Sequence, residues 1–157
     1  MLLSTRVKRG LSYSTFSYSG LVVSHSSLVA GSSPEVESTV ITVSVSVANN
    51  GEWQGGDCSE IVMVFARPVL SAHPTEAMSV PAQILVGFAK VRLGPGEARL
   101  VQIDVPARSL RLVGPDGEYA LLEGRYELYV GGQSPRDARG PGASSLLRHD
   151  LVVTGLP

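Results

Sequence analysis

The strongest constraint on the fold is the alternation of apolar and small polar residues at positions 41–47 of the segment 36–48. Every second position carries a β-branched apolar side chain, at Ile41, Val43, Val45 and Val47. Threonine and serine fill the positions between them. Because successive side chains of a β-strand point to opposite faces, this period of two predicts a strand with one face buried and the other in water.

Further short strands are predicted along the chain, each bounded by glycine, proline or asparagine. They cover residues 61–66, 84–93, 98–105, 110–113, 119–123, 125–130 and 147–153. The unbroken apolar run at 61–66 favours a central strand covered on both faces, and the proline-containing segment 67–81 is interpreted as a long connection. No segment shows an amphipathic helical pattern. These features predict an all-β fold, a two-sheet antiparallel sandwich of the immunoglobulin or fibronectin type III type, with a jelly roll as the alternative.

Composition narrows the classes of partner. The chain has 157 residues, the size of one domain, and a formal net charge of -1, so it lacks the positive field of a nucleic-acid-binding protein. No window has the roughly 20 apolar residues of a membrane span, and no secretory signal is recognised at residues 1–9, so no membrane partner is expected. Cys58 is the only cysteine, which excludes an internal disulfide and favours a partly buried thiol over a nucleophile. The cellular compartment stays open.

Several segments, in order, are similar to one known family. They are residues 47–51 (Val-Ala-Asn-Asn-Gly), the Gly56-Asp57 pair, residues 61–65, 85–91, 93–97 (Leu-Gly-Pro-Gly-Glu) and 124–131. Residues 10–18, beginning Gly-Leu-Ser-Tyr-Ser-Thr-Phe, match the way that family enters the domain. Together they resemble the fibronectin type III-like domain at the C-terminus of family 3 glycoside hydrolases, the β-glucosidases and β-xylosidases that degrade plant polysaccharides and oligosaccharides.

The resemblance implies a division of the chain. Residues 1–9 are expected to be a non-native or residual lead-in, 10–132 the fibronectin type III-like domain, and 133–157 a loop-rich tail with a last edge strand. The residues that carry the likeness are expected to be structural. They are Gly10, Leu11, Ser12, Tyr13, Phe16, Gly87, Phe88, Pro95, Gly96, Glu97, Tyr126 and Gly131.

Glycine and proline have physical reasons to occupy these positions. Gly87 would let a neighbouring backbone or aromatic ring approach its strand closely. Pro95 and Gly96 supply the fixed and the free φ of a tight turn. These roles are architectural rather than chemical.

The resemblance also implies what this chain does not contain. In the family, the nucleophilic aspartate and the acid/base glutamate lie in catalytic domains that precede this one, so no residue here inherits either role. The chain is therefore expected to be a non-catalytic accessory domain, a fragment or truncated product without a cofactor, that packs against and stabilises catalytic domains in cis or in trans. The segment around residues 66–68 leans slightly toward the β-xylosidase branch.

The chain contains a few residues of the types that catalyse glycoside hydrolysis or bind metal ions. Glu118, Glu123 and Glu127 surround a predicted hairpin and could approach the roughly 5 to 10 Å separation of a glycosidase carboxyl pair, although solvated edge positions explain them as well. The three histidines, His25, His73 and His149, lack metal-ligand spacing, so no metal site is expected.

Trp53 is the strongest candidate for contact with a glycan or a protein partner, because it lies in a polar, glycine-rich loop. Local packing over the end of the sandwich is the alternative. Two other classes of function stay open: an independent glycan- or protein-binding module that would use Trp53 with Tyr119, Tyr126 and Tyr129, and a small hydrolase. An accessory domain, in contrast, is predicted to leave one apolar patch uncovered on its surface.

Overall fold

The computed structural model describes residues 14–52, 55–70, 80–136 and 146–155. Ten strands account for most of them, with two short helical segments. The elements are β1 (Phe16–Val23), β2 (Ser27–Val29), α1 (Pro34–Ser38), β3 (Val40–Asn49), β4 (Cys58–Leu70), β5 (Ile84–Leu93), β6 (Ala98–Pro106), a 3-10 helix (Ala107–Leu110), β7 (Leu112–Val113), β8 (Tyr119–Ala120), β9 (Gly124–Gly131) and β10 (Leu147–Thr154).

The strands form two facing sheets and a small hairpin. One sheet has the order β1-β3-β6, the other the order β2-β10-β9-β4-β5, and β7 pairs with β8. All pairings are antiparallel except that of β2 with β10, which is parallel. The predicted all-β, two-sheet sandwich is confirmed, with one parallel pair added at an edge.

The core lies between the two sheets. On β3, the alternating apolar side chains predicted to be buried are all fully inaccessible to water. They face inward residues of β4 and β9, which are Val62, Val64, Ala66, Tyr126, Leu128 and Val130. Burial of each such aliphatic side chain contributes about 1.5 to 3 kcal/mol, so this interdigitated layer is the main source of stability.

Strand β4 differs from its prediction in two respects. It continues to Leu70, because Arg67–Leu70 of this strand pair with β9. The predicted connection is thereby shortened to residues 71–81, of which 71–79 lie outside the described part. Coverage on both faces is also wrong: Ile61 is 49% exposed, whereas Val62 is fully buried. Burial therefore alternates along the run. Among the described residues, no segment covers the apolar side chains on the outer face of β4.

The short helical segments were not predicted. Helix α1 begins with Pro34 at its first position, and the Ser33 hydroxyl caps it by accepting from the Val36 amide at 3.4 Å. Five residues are too few for the periodic pattern by which helices are recognised in sequence.

The tail also joins the sandwich. Strand β10 pairs with β9 along its length, and its last three residues pair with β2 on the other side. It is therefore an edge strand only in its first half. The division at residue 132 stays a prediction, although the described part of the tail packs into the same fold.

Gly87 of β5 faces β6 of the other sheet across the core. A Cβ atom at this position would lie 2.9 Å from Ile103 Cγ2 and 3.1 Å from Val105 Cγ2. The sequence interpretation named a backbone or an aromatic ring as the neighbour, whereas the structure places two β-branched side chains of β6 there. Their branches fill the space that the missing side chain leaves.

Tyr126 is a second architectural residue. Its ring is fully buried, and its hydroxyl donates to the Leu122 carbonyl at 3.1 Å. A tyrosine that bonds back to the chain a few residues upstream is the tyrosine corner of immunoglobulin-like sandwiches. Burial raises the pKa of Tyr126 to about 12.

We expect Gly87→Ala to lower the free energy of unfolding by about 1 to 3 kcal/mol, because the added methyl group overpacks the contact with Ile103 and Val105. Urea denaturation measures the change. Gly155→Ala is the matched control, since its Cβ would meet only the movable end of Glu123, at 3.2 Å. Equal effects of the two substitutions would contradict the close approach.

We expect Tyr126→Phe to cost about 1 to 2 kcal/mol at pH 7, because the partly buried hydrogen bond to the Leu122 carbonyl is lost. The wild-type tyrosine is neutral in both states below its unfolded pKa of about 10 and ionises first in the unfolded chain, so its stabilisation is lost as pH rises from about 10 to about 12. Urea denaturation from pH 7 to 12 should show a shallower alkaline decline for the variant. Tyr119→Phe, at an exposed position, should leave both properties unchanged.

Candidate functional site

The outer face of the five-stranded sheet carries two adjoining features, an apolar patch and an ion cluster. The pairing of β4 with β5 sets Met63 opposite Phe88 and Phe65 opposite Leu85. Phe88 is 68% exposed and Leu85 is 49% exposed. We define the β4–β5 apolar patch as Ile61, Met63, Phe65, Leu85 and Phe88.

Glu127 is the centre of the ion cluster. Its carboxylate lies 2.6 Å from Arg67 Nη2, 3.2 Å from Arg125 Nη2 and 3.0 Å from Arg148 Nη2, and it accepts from the Tyr129 hydroxyl at 2.9 Å. The residue is only 1% exposed, although its side chain points outward, because these groups cover it. With Asp150, which also bonds Arg148, the cluster joins β4, β9 and β10.

The protonation of the cluster follows from its contacts. Two hydrogen bonds from Arg148, at 2.9 and 3.0 Å, hold the pKa of Asp150 below its usual value and raise that of Arg148. The pKa of Tyr129 is raised, first by burial and then by its hydrogen bond to Glu127. The cluster is therefore a set of mutually satisfied charges across three strands, and it does not present a carboxyl group to a substrate.

The turn between β5 and β6, at residues 93–97, has the backbone geometry that its proline and glycine favour. Pro95 and Gly96 occupy its two central positions, Gly96 has φ +74°, and the Glu97 amide donates to the Gly94 carbonyl at 3.0 Å. The Glu97 carboxylate accepts from the Gly94 amide at 2.9 Å, and this bond, with a smaller contribution from Arg99, lowers its pKa.

Buried Asn49 links this turn to β3. Its backbone exchanges bonds with Gly96 and Glu97, and its side-chain amide donates to the Leu93 carbonyl at 3.2 Å. The turn thus connects the two sheets.

The other signature residues lie in separate places. Phe16 packs against the core from β1, whereas Phe88 is on the outer face. Gly131 ends β9 opposite Met63, and a Cβ there would meet Leu146 Cδ2 at 2.7 Å. The remaining four, Gly10, Leu11, Ser12 and Tyr13, lie outside the described residues, as does Trp53.

The structure does not bring the other candidates together into a site. Tyr126 is in the core, Tyr129 is in the ion cluster and Tyr119 is 61% exposed on the β7–β8 hairpin, so the three tyrosines form no common surface. Glu127 is engaged by arginines, while Glu118 is exposed near the hairpin. Cys58 is half-buried, and its sulfur accepts from the Ser14 hydroxyl at 3.0 Å.

No metal site is found in the described part of the chain, which has no group of three or more His, Cys, Asp or Glu side chains that could hold an ion. His73 lies outside it. The Nε2 atom of His149 is buried and has no hydrogen-bond partner in the structure. No helix of the described ranges is long and apolar enough to cross a membrane.

Two of the open grooves on the described part of the surface can be compared with the requirements of glycoside hydrolysis. The larger, about 570 Å³, has Arg67, Pro68, Pro81, Gln83 and Arg136 among its lining residues and no carboxylate among them. The smaller, about 300 Å³, is lined by one carboxylate, that of Glu35. Neither presents the pair of carboxyl groups that glycoside hydrolysis requires.

Sequence reasoning missed the ion cluster, and it expected an apolar patch without locating it. The three arginines that pair with Glu127 are 2 to 60 positions away from it along the chain, so only the register of β4, β9 and β10 shows that they meet. The available signal was an acidic residue at an outward position of a strand, with Arg125 two positions before it on the same face.

We expect Glu127→Gln to lower the free energy of unfolding by about 1 to 3 kcal/mol, because three guanidinium groups lose their shared carboxylate. Their partial exposure limits the cost. Thermal and urea denaturation measure it, and 0.5 M or higher salt should reduce the difference. Glu118→Gln, an exposed carboxyl on the hairpin, should change stability by less than about 0.5 kcal/mol; equal effects would contradict a structural role of the cluster.

Comparison with known proteins gives the family. Residues 60–134 match the model of the fibronectin type III-like domain. The chain is 34% identical over 132 residues to β-glucosidase B of Emericella nidulans, covering 83% of this chain and 13% of that protein. It is 29% identical over 132 residues to the periplasmic β-glucosidase of Salmonella typhimurium, covering 83% of this chain and 15% of the relative.

Solved structures agree. The β-D-glucoside glucohydrolase of Trichoderma reesei matches with a TM-score of 0.71 and 25% identity over 93% of this chain and 20% of that one. The β-glucosidase D2-BGL of Chaetomella raphigera matches with a TM-score of 0.69 and 26% identity over 92% of this chain and 19% of that one. The chain thus spans no more than a fifth of the relatives it matches. These matches and the sandwich itself show that the chain belongs to the fibronectin type III-like domains of family 3 β-glucosidases.

Proposed function

We propose that this chain is the non-catalytic accessory domain of a family 3 β-glucosidase, and that it packs against and stabilises the part of the enzyme that hydrolyses the glycoside. One observation carries the proposal: nearly the whole chain superimposes on a fifth or less of β-glucosidases whose remaining length it does not share. The relatives named above are β-glucosidases, while the lean toward the β-xylosidase branch stays a prediction.

The chemistry of the described residues supports an accessory role. Glu127, which is the buried member of the predicted glutamate set, is paired with three arginines. The two grooves together offer one carboxylate among their lining residues. Catalysis of the family's reaction would need two carboxyl groups around a sugar.

The uncovered apolar patch supports packing. Phe88, Leu85 and Ile61 are each about half exposed or more on one sheet face, which agrees with the prediction of one apolar patch left bare. Patches of this kind on a single domain mark surfaces that another domain covers.

The purified chain should show no turnover of aryl β-glucosides or β-xylosides above buffer. In β-glucosidase B of Emericella nidulans, deletion of the matched 132-residue segment should lower the melting temperature and soluble yield, and this chain inserted in its place should recover part of both. Activity on the glucoside reports that the catalytic part is folded.

Two outcomes would count against the accessory role. One is turnover by the isolated chain that a single Glu or Asp substitution abolishes. The other is a replacement protein that is no more stable than the deletion.

A further inference from the structure

The two outer faces of the sandwich differ in chemistry. On the three-stranded sheet, many outward positions are polar and bond across the strands: the Thr42 hydroxyl donates to Asp104 at 2.9 Å, and Gln102 donates to the Ser44 hydroxyl at 3.4 Å. Three aliphatic residues, Val22, Val40 and Leu100, are also exposed there, one on each strand of the sheet, and scattered apolar residues are ordinary on a protein surface. The polar groups between them suit this face to water.

The opposite face is suited to a partner. The β4–β5 apolar patch has five large side chains on two paired strands, and no polar residue interrupts the paired rows Met63–Phe88 and Phe65–Leu85. Because the pairing fixes the strands, the patch is preformed, and a partner that covers it pays little ordering entropy.

Positive charge borders the patch at both ends. Lys90 lies opposite Ile61, and Arg92 follows on the same face of β5, where it is paired with Asp57 at 3.2 Å, so this end has an excess of one positive charge. At the other end, the ion cluster has three arginines and two carboxylates, an excess of one positive charge. A partner surface complementary to the patch would therefore be apolar, with carboxylates at its margin.

We infer that the β4–β5 apolar patch is the surface by which this domain docks onto the rest of a family 3 β-glucosidase, with Phe88 as its central anchor. The inference rests on the proposed function and names the surface that performs it. In the matched relatives, four-fifths or more of the chain lies outside the segment that corresponds to this domain, so an intramolecular partner is present there. Phe88, an aromatic side chain that is 68% exposed, is the residue with most surface to bury.

The test is a labelling experiment at two matched positions. Phe88→Cys and Leu100→Cys each place a thiol at a strand position that is more than 60% exposed, one on each outer face. Each variant is made in the isolated chain and in the replacement protein, where this chain substitutes the segment of the Emericella nidulans enzyme. The rate of maleimide labelling at each position is measured by peptide mass spectrometry, so the other thiols do not interfere.

Docking by the patch predicts at least tenfold slower labelling at position 88 in the replacement protein than in the isolated chain, with less than twofold change at position 100. Protection at position 100 alone would overturn the inference and leave the accessory role intact, because the domain would then dock by its other face. Protection at neither position, with no gain in stability over the deletion, would overturn both.

Two further measurements complete the test. Phe88→Glu in the replacement protein should lose most of the recovered melting temperature, whereas Leu100→Glu should retain it; equal losses would contradict an anchor at position 88. Labelling at position 88 in the isolated chain is repeated from 1 to 200 μM protein. Protection that grows with concentration would show that a second copy occupies the patch and would overturn the inference.

Discussion

Burial of one side of each sheet is the interaction on which the rest of the structure depends. Val43 and Val45 of β3 and Val62 and Val64 of β4 are removed from water completely, and this contact holds the two sheets face to face. Gly87 permits the approach, since Ile103 and Val105 occupy the volume of its absent side chain. Once these inner faces are fixed, every side chain between them along the strands must point outward, whatever its chemistry.

The outward-facing side chains differ in how they interact with their surroundings. On β3 and β6 they are hydroxyl and carboxyl groups that bond across the strands, such as Thr42 with Asp104. On β9 and β10, Glu127 and Asp150 are paired with arginines. On β4 and β5, the large apolar side chains of Ile61, Leu85 and Phe88 remain in water on two paired strands, and the pair includes the exposed aromatic ring. The exposed apolar residues of the three-stranded sheet are aliphatic and lie one on each strand, and this asymmetry is the physical basis for assigning one face to a partner.

Much of the architecture could be predicted from local pattern. The alternation on β3, the turn at Pro95 and Gly96, and the all-β class follow from periodicity and backbone geometry, which act over a few residues. The short helical segments were not predicted, because α1 and the 3-10 helix Ala107–Leu110 have less than two turns each. The run at residues 61–66 was misjudged as covered on both faces, since apolar composition does not reveal whether a sheet's outer face has a neighbour.

The sequence by itself determined the fold class, the family and the identity of the turn residues, because these depend on side-chain period and on φ preferences that each residue carries with it. Only the tertiary structure decided that Glu127 meets Arg67 and Arg148, that Tyr126 is a buried corner, and that Phe88 and Met63 share a bare patch. These relations arise from the register of strands that are distant in sequence. The alternation between residues 41 and 47 fixes which side chains face the core, whereas the pairing of strands fixes what stands beside the ones that do not.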